Sequence, residues 1–164
     1  MNGLTINALS TEAPDQPINV HQLGVSLTQA ASLNMFMGLD YGVKRIGVSI
    51  GNKLLSVAKP CASVHGTAAQ QWIQIAQRIA QWEPEALVVG VPFHPDGAEH
   101  ENTRKARRFI RQLEGRFKLP VFEVDERYST TEAKSLQGAS SGKSDLDSDS
   151  ACIILNQFFR TLNP

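Results

Sequence analysis

Four carboxylates stand where solubility alone does not call for them. Asp40 ends the apolar run MFMGLD, directly before Tyr41-Gly42, and Asp125 and Glu126 close the run VFEVDER after Pro120. Asp147 lies four residues before Ala151, on the stripe Ala151, Ile154, Leu155, Phe158 and Leu162 that the last helix would bury. A carboxylate on a core-facing stripe must have partners. If two strand ends and one helix start converge, the acids repel one another unless a cation neutralises them, and Mg2+ or Mn2+ suits ligands that are all oxygen. Such a site can cut a phosphodiester.

Arginines supply a second element of that chemistry. Arg104, Arg107, Arg108 and Arg111 recur at spacings of three and four, opposite the apolar stripe Ala106, Phe109, Ile110, Leu113 and Phe117. One helix face would then carry all four to a nucleic-acid backbone. Arg127 directly follows the acidic pair.

Each residue also has a structural explanation. An Asp before Gly is a common turn residue. Asp147 near a helix start can cap it or favour its dipole, as can Ser144 and Asp145. An acidic pair beside an arginine is usually a surface ion pair, and a charged stripe is usually a solvated face. Gly38, Gly42 and Gly47 around Asp40 would let a phosphate approach the backbone, or serve a tight hairpin with positive φ. No helix follows them, so they form neither a Walker loop nor a dinucleotide fingerprint. His94 and His100 fall in a loop, where solvent exposure is the better expectation than substrate contact.

The elements that must position these groups follow from periodicity. MFMGLD, DYGVKR and IGVSIG predict strand, turn and strand, a hairpin. A third extended stretch spans about 54–64, and a helix carries Trp72, Ile75, Ala76, Ile79 and Ala80 and ends before Pro84. ALVVGV predicts a strand covered on both faces. After the loop PFHPDGAEHEN come the arginine helix, the VFEVDER strand, a short helix from Thr130 to Leu136, the loop QGASSGKSD and a last helix from near Asp145 to about Thr161. The order β-β-β-α-β-α-β-α predicts a three-layer α/β domain over 35–164, with a mixed five-stranded sheet flanked by helices. Residues 1–34, polar and without a period, predict a flexible N-terminal extension.

Composition narrows the function classes. A chain of 164 residues suits one domain, and its 16 basic and 16 acidic residues argue against broad attraction to nucleic acid. Any such surface must be local, as in the cluster from Arg104 to Lys118. No apolar run approaches the roughly 20 residues of a membrane span, and 1–34 lacks the positive start and apolar core of a secretory signal. Cys61 and Cys152 lie in apolar runs without a metal-binding pattern, as core thiols of a reducing cytoplasm would.

In order, MGLDYGVKRIGVSIG, LVVGVPFHPDGAE followed by TRKARRF, VDERYSTTEA and LDSDSACIIL resemble the successive motifs of the bacterial YqgF family, also called RuvX or the pre-16S rRNA nuclease family. The match runs from about Met35 to Phe159. The resemblance implies a ribonuclease-H-like fold and a Holliday-junction-resolvase-like, metal-dependent nuclease acting on pre-16S rRNA, with the ribosome as a partner. It implies that Asp40, Asp125, Glu126 and Asp147 are catalytic, with Asp40 and Asp147 ligating the metal and Asp125 or Glu126 completing the cage. Gly90, Pro92, Asp96 and Gly97 would border the site, and Arg127 and Thr130 would orient a carboxylate or a phosphate. Resolvase-type relatives carry an acid on the fourth strand, where this chain has Val89-Gly90-Val91, so the DER segment would have to substitute. The rival expectations are a nuclease for branched DNA, a catalytically silent nucleic-acid-binding or transcription factor, and a sugar-kinase-like or actin-like phosphate binder.

Overall fold

The computed structural model describes residues 18–19, 27–128 and 146–163. The expected helix from Thr130 to Leu136, Thr130 itself and the loop QGASSGKSD lie outside the described residues. Of residues 1–34, Ile18–Asn19 form a two-residue strand β1 and Leu27–Ala31 a short helix α1, with Ala30 fully buried.

The expected hairpin is β2 (Met35–Asp40) and β3 (Arg45–Asn52), paired antiparallel with Asp40 opposite Gly47. β4 (Val57–His65) pairs antiparallel with β3, and α2 (Ala68–Trp82) returns the chain to β5 (Ala86–Val91). α2 begins on a Thr67–Gln70 capping box and ends at Glu83, whose left-handed backbone precedes Pro84. α3 (Glu101–Phe117) leads to β6 (Val121–Asp125), a single 3-10 turn over Glu126–Tyr128, and then α4 (Leu146–Leu162). The sheet order is β1-β6-β5-β2-β3-β4. β5 pairs parallel with both β2 and β6 and the other pairs are antiparallel, so β1 adds a short sixth strand to the expected five.

Two cores sandwich this sheet. On one face Met37, Leu39, Ile46, Val48, Leu87, Val89 and Val91 pack against Ile75 of α2 and Phe109, Ile110 and Leu113 of α3. On the other, Phe36, Val88, Phe122 and Val124 pack against Ile154, Leu155, Phe158 and Phe159 of α4. Phe158 packs between Phe36 (centroids 5.4 Å apart) and Phe122 (5.2 Å) in tilted contacts. Each such buried ring contributes about 1.5–3 kcal/mol through burial.

The glycines around Asp40 answer to packing rather than to turn geometry, because none of Gly38, Gly42 and Gly47 has positive φ. A side-chain carbon on Gly38 would stand 2.9 Å from the Ala151 carbonyl, and one on Gly47 would collide with the Asp147 carbonyl. Small residues on this face let α4 settle close to β2 and β3. Ser148 completes the docking: fully buried, it donates to the Cys61 carbonyl at 2.5 Å and accepts from the Val48 amide at 3.3 Å.

Candidate active site

Strand alternation decides where each acid points. Phe36 and Gly38 face α4, so position 40 shares their face at the carboxyl end of β2. One residue beyond the last parallel pair, Leu39 with Val89, Asp40 comes level with Gly90 of β5. A side-chain carbon on Gly90 would stand 2.9 Å from Glu126 Oε1 and 2.5 Å from the Ile154 side chain. The Glu126 carboxylate therefore occupies the space above Gly90 that a side chain at that position of β5 would take. Asp147, at the start of α4, has its backbone against Gly47, the pairing partner of Asp40, and its side chain bridges Arg45 Nε at 3.3 Å. Asp40, Glu126 and Asp147 are all partly exposed at one edge of the sheet. Among the described residues, no three His, Cys, Asp or Glu side chains are drawn tightly enough together to hold a metal ion.

Asp125 is the neighbour of Glu126 in sequence and points the other way. It is 7 % exposed and lies on the α3 face with Glu123. Arg127 closes over it, with Nη2 donating to Oδ2 at 2.6 Å, Nε to both oxygens at 3.1 Å and the backbone amide to Oδ1 at 2.9 Å. Asp125, one of the two acids expected to complete the cage, is held by Arg127 in this structure. Asp125 is the last residue of β6 and shares the face of Val121 and Glu123, whereas Glu126 begins the 3-10 turn that leaves the strand.

The arginine stripe divides in a similar way. Arg107 is expected at a phosphate backbone, but its Nε and Nη2 hold Glu123, which is 1 % exposed, at 3.1 and 3.2 Å, and its Nη1 holds Glu99 at 2.6 Å. Burial opposes its charge, but the hydrogen bonds and charges of Glu123 and Glu99 outweigh that and raise its pKa. Its guanidinium lies 5.2 Å from the Phe93 ring centroid and that of Arg127 5.4 Å, so Phe93 joins the two ion pairs. Arg104 and Arg111 line an open cleft of about 500 Å3 with Glu99 and Arg107, whereas Arg108 lines a different cleft, beside α2.

The loop after β5 is built to a fixed shape. Thr103 Oγ1 donates to the Pro92 carbonyl and accepts from the His100 amide at 3.0 Å, and His100 Nδ1 accepts from the Asn102 amide at 3.1 Å. His100 thus caps α3, with its ring 4.7 Å from that of His94. Asp96 Oδ1 accepts from the Ala98 amide, and Gly97 (φ 93°) leaves room for Arg127. Of the four loop residues expected at the border, Gly90 and Pro92 line a cleft of about 300 Å3 with Glu126, Tyr41, Asn102 and Lys105, while Asp96 and Gly97 shape the turn behind it. Sequence reasoning passed over Lys105, Arg45 and Ser148. Lys105 and Arg45 are exposed charges in a chain full of them, and a buried serine leaves no periodic signal.

The model of a family described as "RuvX: Holliday junction resolvase" matches residues 34–161. The chain belongs to this RuvX family. A relative from Albidiferax ferrireducens, named "Putative pre-16S rRNA nuclease", is 50% identical over 158 residues, which cover 96% of this chain and 92% of the relative. One from Polaromonas sp. carrying the same name is 55% identical over 132 residues, 80% of this chain and 92% of its own. Among solved structures, T. thermophilus RuvC in complex with a Holliday junction substrate superposes with a TM-score of 0.52 at 14% identity, covering 79% of this chain and 96% of that one. At that identity the likeness shows the fold, the resolvase-type ribonuclease-H-like architecture expected from the sequence. No helix among the described residues is long and apolar enough to cross a membrane.

Proposed function

We propose that the chain is a divalent-metal-dependent nuclease that processes the 5′ end of the small-subunit ribosomal RNA precursor, in the cytoplasm and in contact with the assembling ribosome. The carrying observation is the shared edge: position 40 level with Gly90, Glu126 Oε1 in the space over Gly90, and the start of α4 packed on Gly47. Family membership and the name borne by the relatives supply the reaction and substrate classes.

Asp40, Glu126 and Asp147 offer only oxygen, the donor set that Mg2+ or Mn2+ prefers, so they suit such an ion by their chemistry, and binding it would have to draw them closer together than they stand here. When bound, the ion would offset most of the charge of the three carboxylates and make water a competent nucleophile. The chain's own residues do the rest. Asp40 and Asp147 hold the site from β2 and α4, and Glu126 completes it from above Gly90 and orients the attacking water. Lys105, in the same cleft, draws the phosphate in. Asp125 and Arg127 act as positioning residues, fixing the turn that carries Glu126. Arg104 and Arg111 meet the RNA backbone outside the cleft and carry little sequence information, which leaves specificity to RNA shape.

The description of the family as a Holliday junction resolvase favours one second reading, a nuclease for branched DNA with the same chemistry. The test is cleavage of a labelled small-subunit rRNA precursor and of a four-way DNA junction by wild type, Asp40→Asn and Asp147→Asn, with manganese, magnesium or chelator. Metal-dependent cutting of the RNA that both substitutions abolish supports the proposal. Cutting of the junction alone replaces it with the second reading. No cutting of either substrate by folded wild type, alone or with added small subunits, overturns it in favour of a catalytically silent binding factor.

A further inference from the structure

Beside the carboxylate edge lies a second cleft, of about 360 Å3, walled by α2, α3 and the turn between β2 and β3. Its floor is a row of stacked rings. Tyr41 stacks on Phe109 with centroids 4.7 Å apart and an interplanar angle of 29°, and Phe109 on Trp72 at 5.5 Å and 28°. Phe109 is buried, while Tyr41 and Trp72 are partly exposed to the cleft. Arg116, 4.2 Å from the Trp72 ring centroid, backs the indole, and Gln71 Nε2 donates to the Val43 carbonyl at 3.0 Å, tying the hairpin turn to α2. The site is therefore held in shape by its surroundings.

Its rim is positive: Lys105 and Arg108 line it, and among the described residues no acidic one does. Lys105 makes an exposed pair with Glu101 at 3.4 Å, and Arg108 makes no ion pair among the described residues. The amide of Gln112, also at the rim, can both donate and accept. Tyr41, Val43 and Lys105 line this cleft and the one holding Glu126 and Gly90, so the two adjoin.

We propose that this cleft binds an unpaired nucleotide of the RNA substrate next to the scissile phosphate, with its base on Tyr41, at the end of the ring row away from Arg116, and its phosphates on Lys105 and Arg108. An aromatic floor under a cationic rim is the chemistry that recognises single strands, since every base presents a π-face and every linkage a charge. A duplex keeps its bases stacked on each other and cannot seat one here. The inference rests on the nuclease reading for its ligand class, and it predicts that the enzyme requires a single-stranded flank beside the cut.

The test uses full-length protein in chelator, so that binding is read apart from cutting. In a Trp82→Phe background, Trp72 fluorescence is titrated with a 12-nucleotide single-stranded RNA, with the blunt duplex of the same sequence and, as salt rises, with Lys105→Ala/Arg108→Ala. The expected result is saturable quenching by the single strand, at least tenfold weaker response to the duplex, and a log–log salt slope lowered by about 1.4 in the double variant. Equal quenching by the duplex, an unchanged slope, or no quenching by RNA that the wild type cuts when metal is present would each overturn the inference while leaving the nuclease reading intact. Quenching by a single strand in a protein that cuts no RNA would uphold the nucleotide site and remove the nuclease reading.

Discussion

On the α3 face of the sheet, Glu123 and Asp125 are almost wholly buried and each is gripped by an arginine; at the α4 edge, Asp40, Glu126 and Asp147 stand partly exposed around one strand end. The two groups meet at the carboxyl end of β6, where Asp125 of the first is followed directly by Glu126 of the second. They differ in solvation. A deeply buried carboxylate must be permanently paired, and its partner then fixes the structure around it. An acid left at the edge keeps room for an ion, a water or a phosphate. Burial and partner therefore separate the acids that hold this fold from the acids left partly exposed, although Asp125 and Glu126 are consecutive in the chain.

The severest way to break that contrast is Arg107→Ala. It strands the Glu123 carboxylate, 1 % exposed, without its guanidinium, and breaking such a buried pair costs about 3–5 kcal/mol. Urea unfolding should show the loss. Replacing both partners, Arg107→Met with Glu123→Leu, should recover most of it, because no unpaired charge remains. If the single variant unfolds like wild type, the α3 face is not held by this pair.

Next in size is the exchange of roles within the DER triplet. Asp40→Asn and Glu126→Gln should each lower cleavage by on the order of 100-fold or more, with little change in the urea midpoint. Asp125→Asn should do the reverse, costing about 1–3 kcal/mol of stability as the Arg127 hydrogen bonds weaken, with a smaller fall in cleavage. Cleavage that tracks stability in all three variants would erase the distinction between the two acids.

Gly90→Ala sharpens the comparison from the side of the strand. The new carbon would meet Ile154 Cδ1 at 2.5 Å and Glu126 Oε1 at 2.9 Å, and such overpacking typically costs about 1–3 kcal/mol. Displacement of Glu126 should also cut activity at temperatures where the variant remains folded. Full activity there would mean that Glu126 need not sit over Gly90.

Much of this was legible because it is periodic. The stripes on α3 and α4 and the covered strand ALVVGV gave the layers and the order of the elements. Alternation could also have separated Asp125 from Glu126, since Phe122 and Val124 on one face and Val121 on the other fix the phase of β6. Four arginines at helical spacing were legible as a stripe, but not as separate groups. Glu123 captures Arg107 across 16 residues, and α2 gives Arg108 a different cleft. Pairing that depends on how two elements pack leaves no trace in either one. The same limit explains Ser148: the helix stripe pointed to Asp147, one residue away, while the buried bonds to β3 and β4 belong to the serine.

At the amino-terminal end of β2 a third kind of carboxylate tests the rule with the smallest effect. Glu85 is exposed, yet its Oε1 accepts from the Asn34 and Met35 amides, each at 2.9 Å. Those backbone hydrogen bonds, Met35 first, lower its pKa below the ordinary 4.5. A carboxylate whose pKa falls on folding adds stability above its unfolded value, and loses it as pH drops through the folded one. Its contribution should therefore be complete above about pH 5 and fade below 4.5. Because the group is exposed, the amount should stay under about 1 kcal/mol. Urea midpoints of wild type and Glu85→Gln should differ most near neutrality and converge as pH falls to 3. A constant gap across that range would mean that the amides bind the neutral amide as well as the charged acid, and that charge at this strand end does no work of its own.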